Sequence, residues 1–368
     1  MRSRTTRAAW MLAGVAAVVA IAPACSSDDE EGTDSGSGSS SDASGEVIVS
    51  GSSTVEPIST RVAELLEETN PDVVVTVDGP GTGDGFELFC NGETDISDAS
   101  RPIAEDEIAA CEENGVEFIE LKIAFDGITV MTNPANDAIE CMSFADLYAL
   151  IGPESEGFDT WAAGQELATE LGSTTTFPDA PLDLVGPGTE SGTYDSFIEI
   201  ALEGISEERA EAGDITEDQV GTIRNDYSSQ ADDNAIITQI EGSDTSLGWV
   251  GFAFAEEAGD GVKELEVSEE PGGECVAPSA ETIADGTYPI SRSLYIYVSK
   301  TAAEENPAVK AYVDFYLADG IAAVEEVGYV ALPDDQLSTT RETWESMTTG
   351  SAEASGGSEE ETTTTTAG

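Results

Sequence analysis

A chain of 368 residues carries 75 Asp and Glu against 13 Lys and Arg, has no His, and bears a formal net charge of −62. That balance excludes nucleic acid and electrostatic attachment to an anionic membrane, both of which need a basic face, and the absence of His excludes Ser-His-Asp nucleophiles and His-ligated metals. The length exceeds the roughly 250 to 300 residues at which single cores split, so two domains are expected, with the acid excess read as solvated surface.

At the N-terminus, Arg2, Arg4 and Arg7 precede an apolar run from Ala8 to Ala22 and the small residues Ala22-Pro23-Ala24 before Cys25. Residues 1–25 therefore read as an export signal, and a Cys directly after the cleavage site resembles the lipoprotein pattern, with Cys25 as the lipidation site. The alternative, a transmembrane helix, needs roughly 20 apolar residues, more than this run supplies. The chain is expected to be extracytoplasmic and lipid-anchored to the cell membrane, held by two or more acyl chains. Residues 26–45, almost wholly Ser, Asp, Glu and Gly, read as a flexible linker, and residues 351–368, with Thr362 to Thr366, as a disordered tail.

Four further cysteines, Cys90, Cys111, Cys141 and Cys275, are an even number in an exported chain, so two disulfides are expected. Three connectivities are open; sequence proximity favours Cys90 with Cys111, leaving Cys141 with Cys275. Without short Cys-x-x-Cys pairs a zinc site is not expected, nor is any other metal or cofactor.

Between linker and tail, apolar β-rich runs alternate with helical patterns. Val47 to Val49 reads as a strand, Ile58 to Glu68 as a helix, Val73 to Val77 as a strand and Phe86 to Cys90 as a helix. Strands follow at Val116 to Leu121, Ile128 to Met131, Leu182 to Val185, Leu247 to Val250 and Leu294 to Val298, with helices at Phe144 to Leu150, Asp195 to Leu202, Asn234 to Ile240 and Pro307 to Leu317. This alternation predicts an α/β protein with parallel strands covered by helices. Ligands of such sheets sit beyond the strands' carboxyl ends, where loops enter helices.

Three of those loops share a design: Gly51-Ser52-Ser53-Thr54-Val55-Glu56-Pro57, Gly79-Pro80-Gly81-Thr82-Gly83-Asp84-Gly85 and Gly186-Pro187-Gly188-Thr189-Glu190-Ser191-Gly192-Thr193. Glycines let a backbone approach a ligand, and hydroxyls beside free helix N–H groups hold an oxyanion without lysines. One such loop would be an ordinary capped turn; three together point to an oxyanion. A dinucleotide fingerprint needs a different glycine spacing, and a P-loop needs a Gly-Lys-Ser/Thr ending. No nucleophile has a recognisable activator, so an enzyme is not expected.

At these loops, together with Gly92-Glu93-Thr94-Asp95-Ile96-Ser97-Asp98-Ala99-Ser100-Arg101-Pro102-Ile103 and Tyr288-Pro289-Ile290-Ser291-Arg292, the chain resembles the phosphate-binding component of bacterial high-affinity phosphate import transporters. The resemblance implies a type II periplasmic-binding-protein fold: two α/β lobes joined by crossover strands, with a ligand cleft between them. Lobe one is expected at 46–127 plus 290–350, and lobe two at 128–289. It implies that the chain captures inorganic phosphate as a monomer and delivers it to the membrane permease subunits of an ABC transporter. Carried over, Ser53, Thr54, Thr82, Ser191, Gly192 and Thr193 supply hydroxyl and backbone donors. The family pattern has an Asp where this chain has Ser100 and an Arg where it has Pro187. Arg101 is the replacement cation, suited to bidentate recognition, and Asp126, in an apolar stretch at the first crossover, is the candidate acceptor of the phosphate proton. Glu190 and Asp195, flanking the Ser-Gly-Thr triplet, are next in line for that role. Arg292 is either a second cation or the partner of Asp126. The competing readings are a phosphate-ester or acyl hydrolase on a similar scaffold, a binder of another tetrahedral oxyanion such as sulfate, and a structural or adhesive surface lipoprotein with no small ligand.

Overall fold

The computed structural model describes residues 43–189 and 191–351. The export signal with Cys25, the linker up to residue 42, Glu190 and residues 352–368 lie outside them.

The chain opens with β1 (Gly45–Gly51), α1 (Glu56–Thr69), β2 (Val73–Asp78), α2 (Thr82–Cys90), β3 (Ile96–Ala99) and α3 (Glu105–Asn114), then enters the long strand β4 (Phe118–Thr132). Helix α1 forms where the pattern places it: Pro57 occupies the first turn, and Ile58, Val62 and Leu66, four residues apart, are its buried stripe. Next come β5 (Cys141–Ser143), α4 (Phe144–Ile151), α5 (Gln165–Glu170), β6 (Asp183–Pro187) and α6 (Gly192–Phe197), followed by a π-helical turn at Ile198–Leu202 and α7 (Glu203–Ala212). The strands β7 (Ser228–Gln230), β8 (Ser246–Gly251), β9 (Lys263–Glu264), β10 (Glu266–Ser268), β11 (Ser291–Ser299) and β12 (Val330–Ala331) complete the set, with helices at Asp233–Gly242, Pro307–Leu317 and Asp334–Glu345 among those between and after them.

Among the described residues the main sheet runs β2-β1-β3-β11-β4-β8-β6-β7. It is mixed rather than parallel throughout. β1 is parallel to β2 and β3, and β6 to β7 and β8, but β11 runs antiparallel to β3 and β4, and β4 antiparallel to β8. The reversal follows from topology: β4 carries the chain out of the first half of the sheet and β11 carries it back beside it. For the same reason the two runs expected at 116–121 and 128–131 are parts of one strand, whose middle continues the ladder through Asp126 opposite Arg292 and Gly127 opposite Ser291.

Two large apolar cores flank these crossing strands. One gathers Val47, Val49, Ile58, Val62, Ile96, Ile296, Tyr312 and Tyr316; the other gathers Leu147, Leu150, Leu184, Phe197, Leu247 and Trp249. β4 feeds both, with Ile119, Leu121 and Ile123 in the first and Ile128 and Val130 in the second. Each such side chain contributes about 1.5 to 3 kcal/mol of burial, so the strand is anchored on both sides of its midpoint. Cys90 is bonded to Cys111, tying the end of α2 to α3, and Cys141 is bonded to Cys275. The folded chain reaches Ser351, which is buried beyond a backbone bond from Gly350 to Phe118.

Candidate anion-binding cleft

The ends of β1, β2 and β3 converge because the backbone approaches itself closely there. A Cβ on Gly51 would lie 2.0 Å from the Asp98 carbonyl oxygen, so no larger residue fits. The Ser52 amide donates to that carbonyl at 2.9 Å, and the Gly81 amide donates to the Gly51 carbonyl, also at 2.9 Å. This fixes the β1–α1 loop against the β2–α2 loop. Thr82 Oγ1 accepts from the Ser100 amide at 3.2 Å and lies 3.0 Å from Ser100 Oγ. Beneath them, Asp98 is wholly buried, accepts a hydrogen bond from Ser59 Oγ at 3.0 Å, and has its carboxyl pushed up to about 7 by burial.

The third loop meets the first from the other side. Ser191 caps α6, its Oγ accepting from the Thr193 amide at 3.2 Å, and a Cβ on Gly192 would lie 3.0 Å from Thr54 Cα. Side chains 142 positions apart then pair: Ser53 Oγ donates to Asp195 Oδ2 at 2.8 Å, and Thr54 Oγ1 lies 3.0 Å from Ser196 Oγ.

Arg292 closes this junction. Its Nη2 donates to Thr54 Oγ1 at 2.9 Å and to Ser196 Oγ at 2.5 Å, and its Nη1 donates to Glu199. Its Nε lies 3.6 Å from Asp126 Oδ2, and neither of those two buried atoms finds a hydrogen-bond partner among the described residues. Burial raises the pKa of the Asp126 carboxyl, and the Arg292 charge opposes the rise without cancelling it. The register of the two crossing strands thus sets Arg292 beside Asp126, while its guanidinium also lines an open cleft.

That cleft, of about 700 Å³, is lined by Thr82, Asp84, Ser100 and Arg101 and by Glu199, Glu203 and Arg292. Arg101 is 44% exposed, and its two terminal nitrogens each bond a Glu107 oxygen at 2.8 Å; its guanidinium sits 5.5 Å from the Phe86 ring centre. Ser53 and Gly192 face a neighbouring hollow of about 460 Å³ with Glu56, Arg61 and Glu64, and buried Thr54 stands at the junction with Arg292. The sequence offered no separate reading of Ser196, Glu199 or Glu107. A signal existed for the first two: they follow Gly192 at helical spacing, on the turns behind the Ser-Gly-Thr triplet, and the π-turn lies where such distortions often mark functional sites. Glu107 is one carboxylate of a Glu-Asp-Glu run and carried none.

Two apolar cores share the crossing strand β4 beside this cleft. A sequence profile described as the PBP superfamily domain matches residues 36–320, and the chain belongs to the periplasmic-binding-protein superfamily. Within it, the chain belongs to the family of the phosphate-binding protein PstS. It is 32% identical over 326 residues to that protein from Staphylococcus epidermidis, covering 88% of this chain and 89% of the relative. It is 38% identical over 290 residues to protein SphX of Synechocystis, covering 78% and 79%. Among solved structures, that of a possible phosphate binding protein from Planctomyces limnophilus matches with a TM-score of 0.73 and 35% identity, over 83% of this chain and 99% of that one.

Proposed function

We propose that this chain is an extracytoplasmic solute-binding protein that captures inorganic phosphate in the cleft and delivers it to an ABC import permease, held at the membrane through lipid on Cys25, acting as a monomer and without turnover. The observation that carries the reading is the placement of charge. In a chain with a net charge of −62, two guanidinium groups and the hydroxyls of Thr82 and Ser100 gather in one cleft, beside the carboxylates of Asp84, Glu199 and Glu203. Ser53, Thr54, Ser191, Gly192 and Thr193 complete the set, the last four through hydroxyl and amide donors. The two apolar cores support lobes at 46–127 with 290–350 and at 128–289, closing about β4 and β11.

Native mass spectrometry of the purified protein should retain one phosphate, and calorimetry should give a single site. Thr82→Val and Ser191→Ala each remove a donor to a charged ligand, so each should weaken phosphate binding by roughly 10- to 150-fold. Unchanged affinity in both variants would remove phosphate from this cleft. Incubation with a panel of phosphate and acyl esters should release no product.

Arg101, with its fork on Glu107, acts in this reading as a rim cation that draws the anion in. Arg101→Lys keeps the charge and should bind phosphate within about threefold of the parent, whereas Arg101→Ala should slow association in a salt-dependent way. A loss beyond about tenfold in the lysine variant would instead put the planar fork on the ligand.

A further inference from the structure

A serine hydroxyl has one proton and two lone pairs, and an ionised carboxylate can only accept. Ser53 Oγ directs its single proton to Asp195 Oδ2 at 2.8 Å. Toward any other neighbour Ser53 therefore presents lone pairs. Asp195 is only half-exposed, in the first turn of α6. Its carboxyl is raised above its ordinary value, by burial first, with the Ser53 hydrogen bond opposing, Glu199 adding to the rise and Arg292 pulling down least of all. Asp126 differs: the Arg292 guanidinium lies 3.6 Å away and its charge is the main force opposing burial. Asp195 is thus the carboxylate that engages a loop hydroxyl, whereas Asp126 faces the guanidinium.

We propose that Asp195 is the positioning residue through which the cleft reads the proton on phosphate, by holding Ser53 as an acceptor toward the ligand. Hydrogen phosphate then donates its P–OH to Ser53 Oγ, a hydrogen bond with no proton transferred. Fully ionised sulfate has no proton to give and meets a lone pair backed by a carboxylate, an unpaired acceptor and a like charge together. The inference rests on the phosphate reading above and on Ser53 touching the ligand; it moves the discriminating role from Asp126, where the sequence places it, to Asp195.

Calorimetry with phosphate and with sulfate, at one neutral pH, on the parent, Asp195→Asn, Ser53→Ala and Asp126→Asn tests it. The amide of Asp195→Asn can donate to Ser53 and release the hydroxyl proton toward the ligand. Sulfate binding should then tighten by about 10-fold or more, with the phosphate-to-sulfate ratio falling at least as far. Ser53→Ala should lose about 10-fold or more in phosphate affinity and still reject sulfate. An unchanged ratio in Asp195→Asn with phosphate still bound, full phosphate affinity in Ser53→Ala, or a ratio that narrows in Asp126→Asn alone would each overturn the proposal. If Asp195→Asn takes up neither anion, the Ser53→Ala result decides. A parent that binds neither anion overturns the phosphate reading itself and the inference with it.

Discussion

Arg292→Met should destabilise the protein by about 3 to 5 kcal/mol and weaken phosphate binding by at least about 10-fold. The side chain is 14% exposed and Asp126 only 2%, so the variant leaves a buried carboxylate facing no cation, and removing one member of such a pair costs far more than the pair contributes. It also removes the donors that join Thr54 to Ser196 and Glu199. The pH dependence has a definite sign. Asp126 already lies above its ordinary value because burial outweighs Arg292, so between the unfolded and folded pKa values the folded chain binds more protons and stability falls as pH rises. Without Arg292 the folded value climbs further, and the window widens. The deficit of the variant relative to the parent should be smallest near about pH 4 and grow toward neutrality. Urea denaturation of both proteins across that range measures it; a deficit independent of pH would mean that Asp126 is not the group left unpaired. Combining Arg292→Met with Asp126→Leu should restore most of the stability, because an apolar pair can replace a buried ionic one at little cost, and should not restore binding.

Replacing Cys141 and Cys275 by serine should cost about 5 kcal/mol, against about 3 for Cys90 and Cys111. The first bridge closes a loop of 134 residues and the second one of 21, and the entropy that a cross-link removes from the unfolded chain grows with the logarithm of that length. The shorter bridge has a second consequence. It joins α2, whose first residue is Thr82, to α3, which carries Glu107 and so holds Arg101. Its loss should therefore weaken phosphate binding in proportion exceeding its smaller effect on stability, whereas the longer bridge should do the reverse. Denaturation midpoints and calorimetry on the two double-serine proteins check both statements; the opposite order of stabilities would show that native-state contacts rather than loop closure dominate.

Much of the fold was legible because it rests on local pattern. The buried stripe Ile58, Val62 and Leu66 sits at helical spacing, and Val47 and Val49 alternate as a half-buried strand does. Short elements without such a pattern were not legible. β3 is four residues of Ile-Ser-Asp-Ala, all buried, and its polar composition suits a loop as well as a strand; only its place between β1 and β11 makes it one. The direction of β11 was likewise out of reach, since an apolar run has the same composition read either way along a sheet.

The candidate site divides along the same line. The three Gly and hydroxyl loops, the basic pair Arg101 and Arg292, and the lone acid Asp126 in an apolar stretch are properties of sequence, because each is a residue type at odds with its neighbours. Which of them meet is not. Ser53 finds Asp195 and Thr54 finds Ser196 across 142 positions, and Arg292 rather than Arg101 takes the buried place because strand register sets it opposite Asp126, whereas Arg101 follows the end of β3 at the surface and is claimed by Glu107 six residues on. Sequence by itself determined where the glycine loops, hydroxyls and isolated charges stand along the chain; tertiary structure decided their partners. The reason is that local preference acts over a few residues, while the free energy of burying a charge depends on what stands 3 to 4 Å away, and in this chain that neighbour comes from an element distant in sequence.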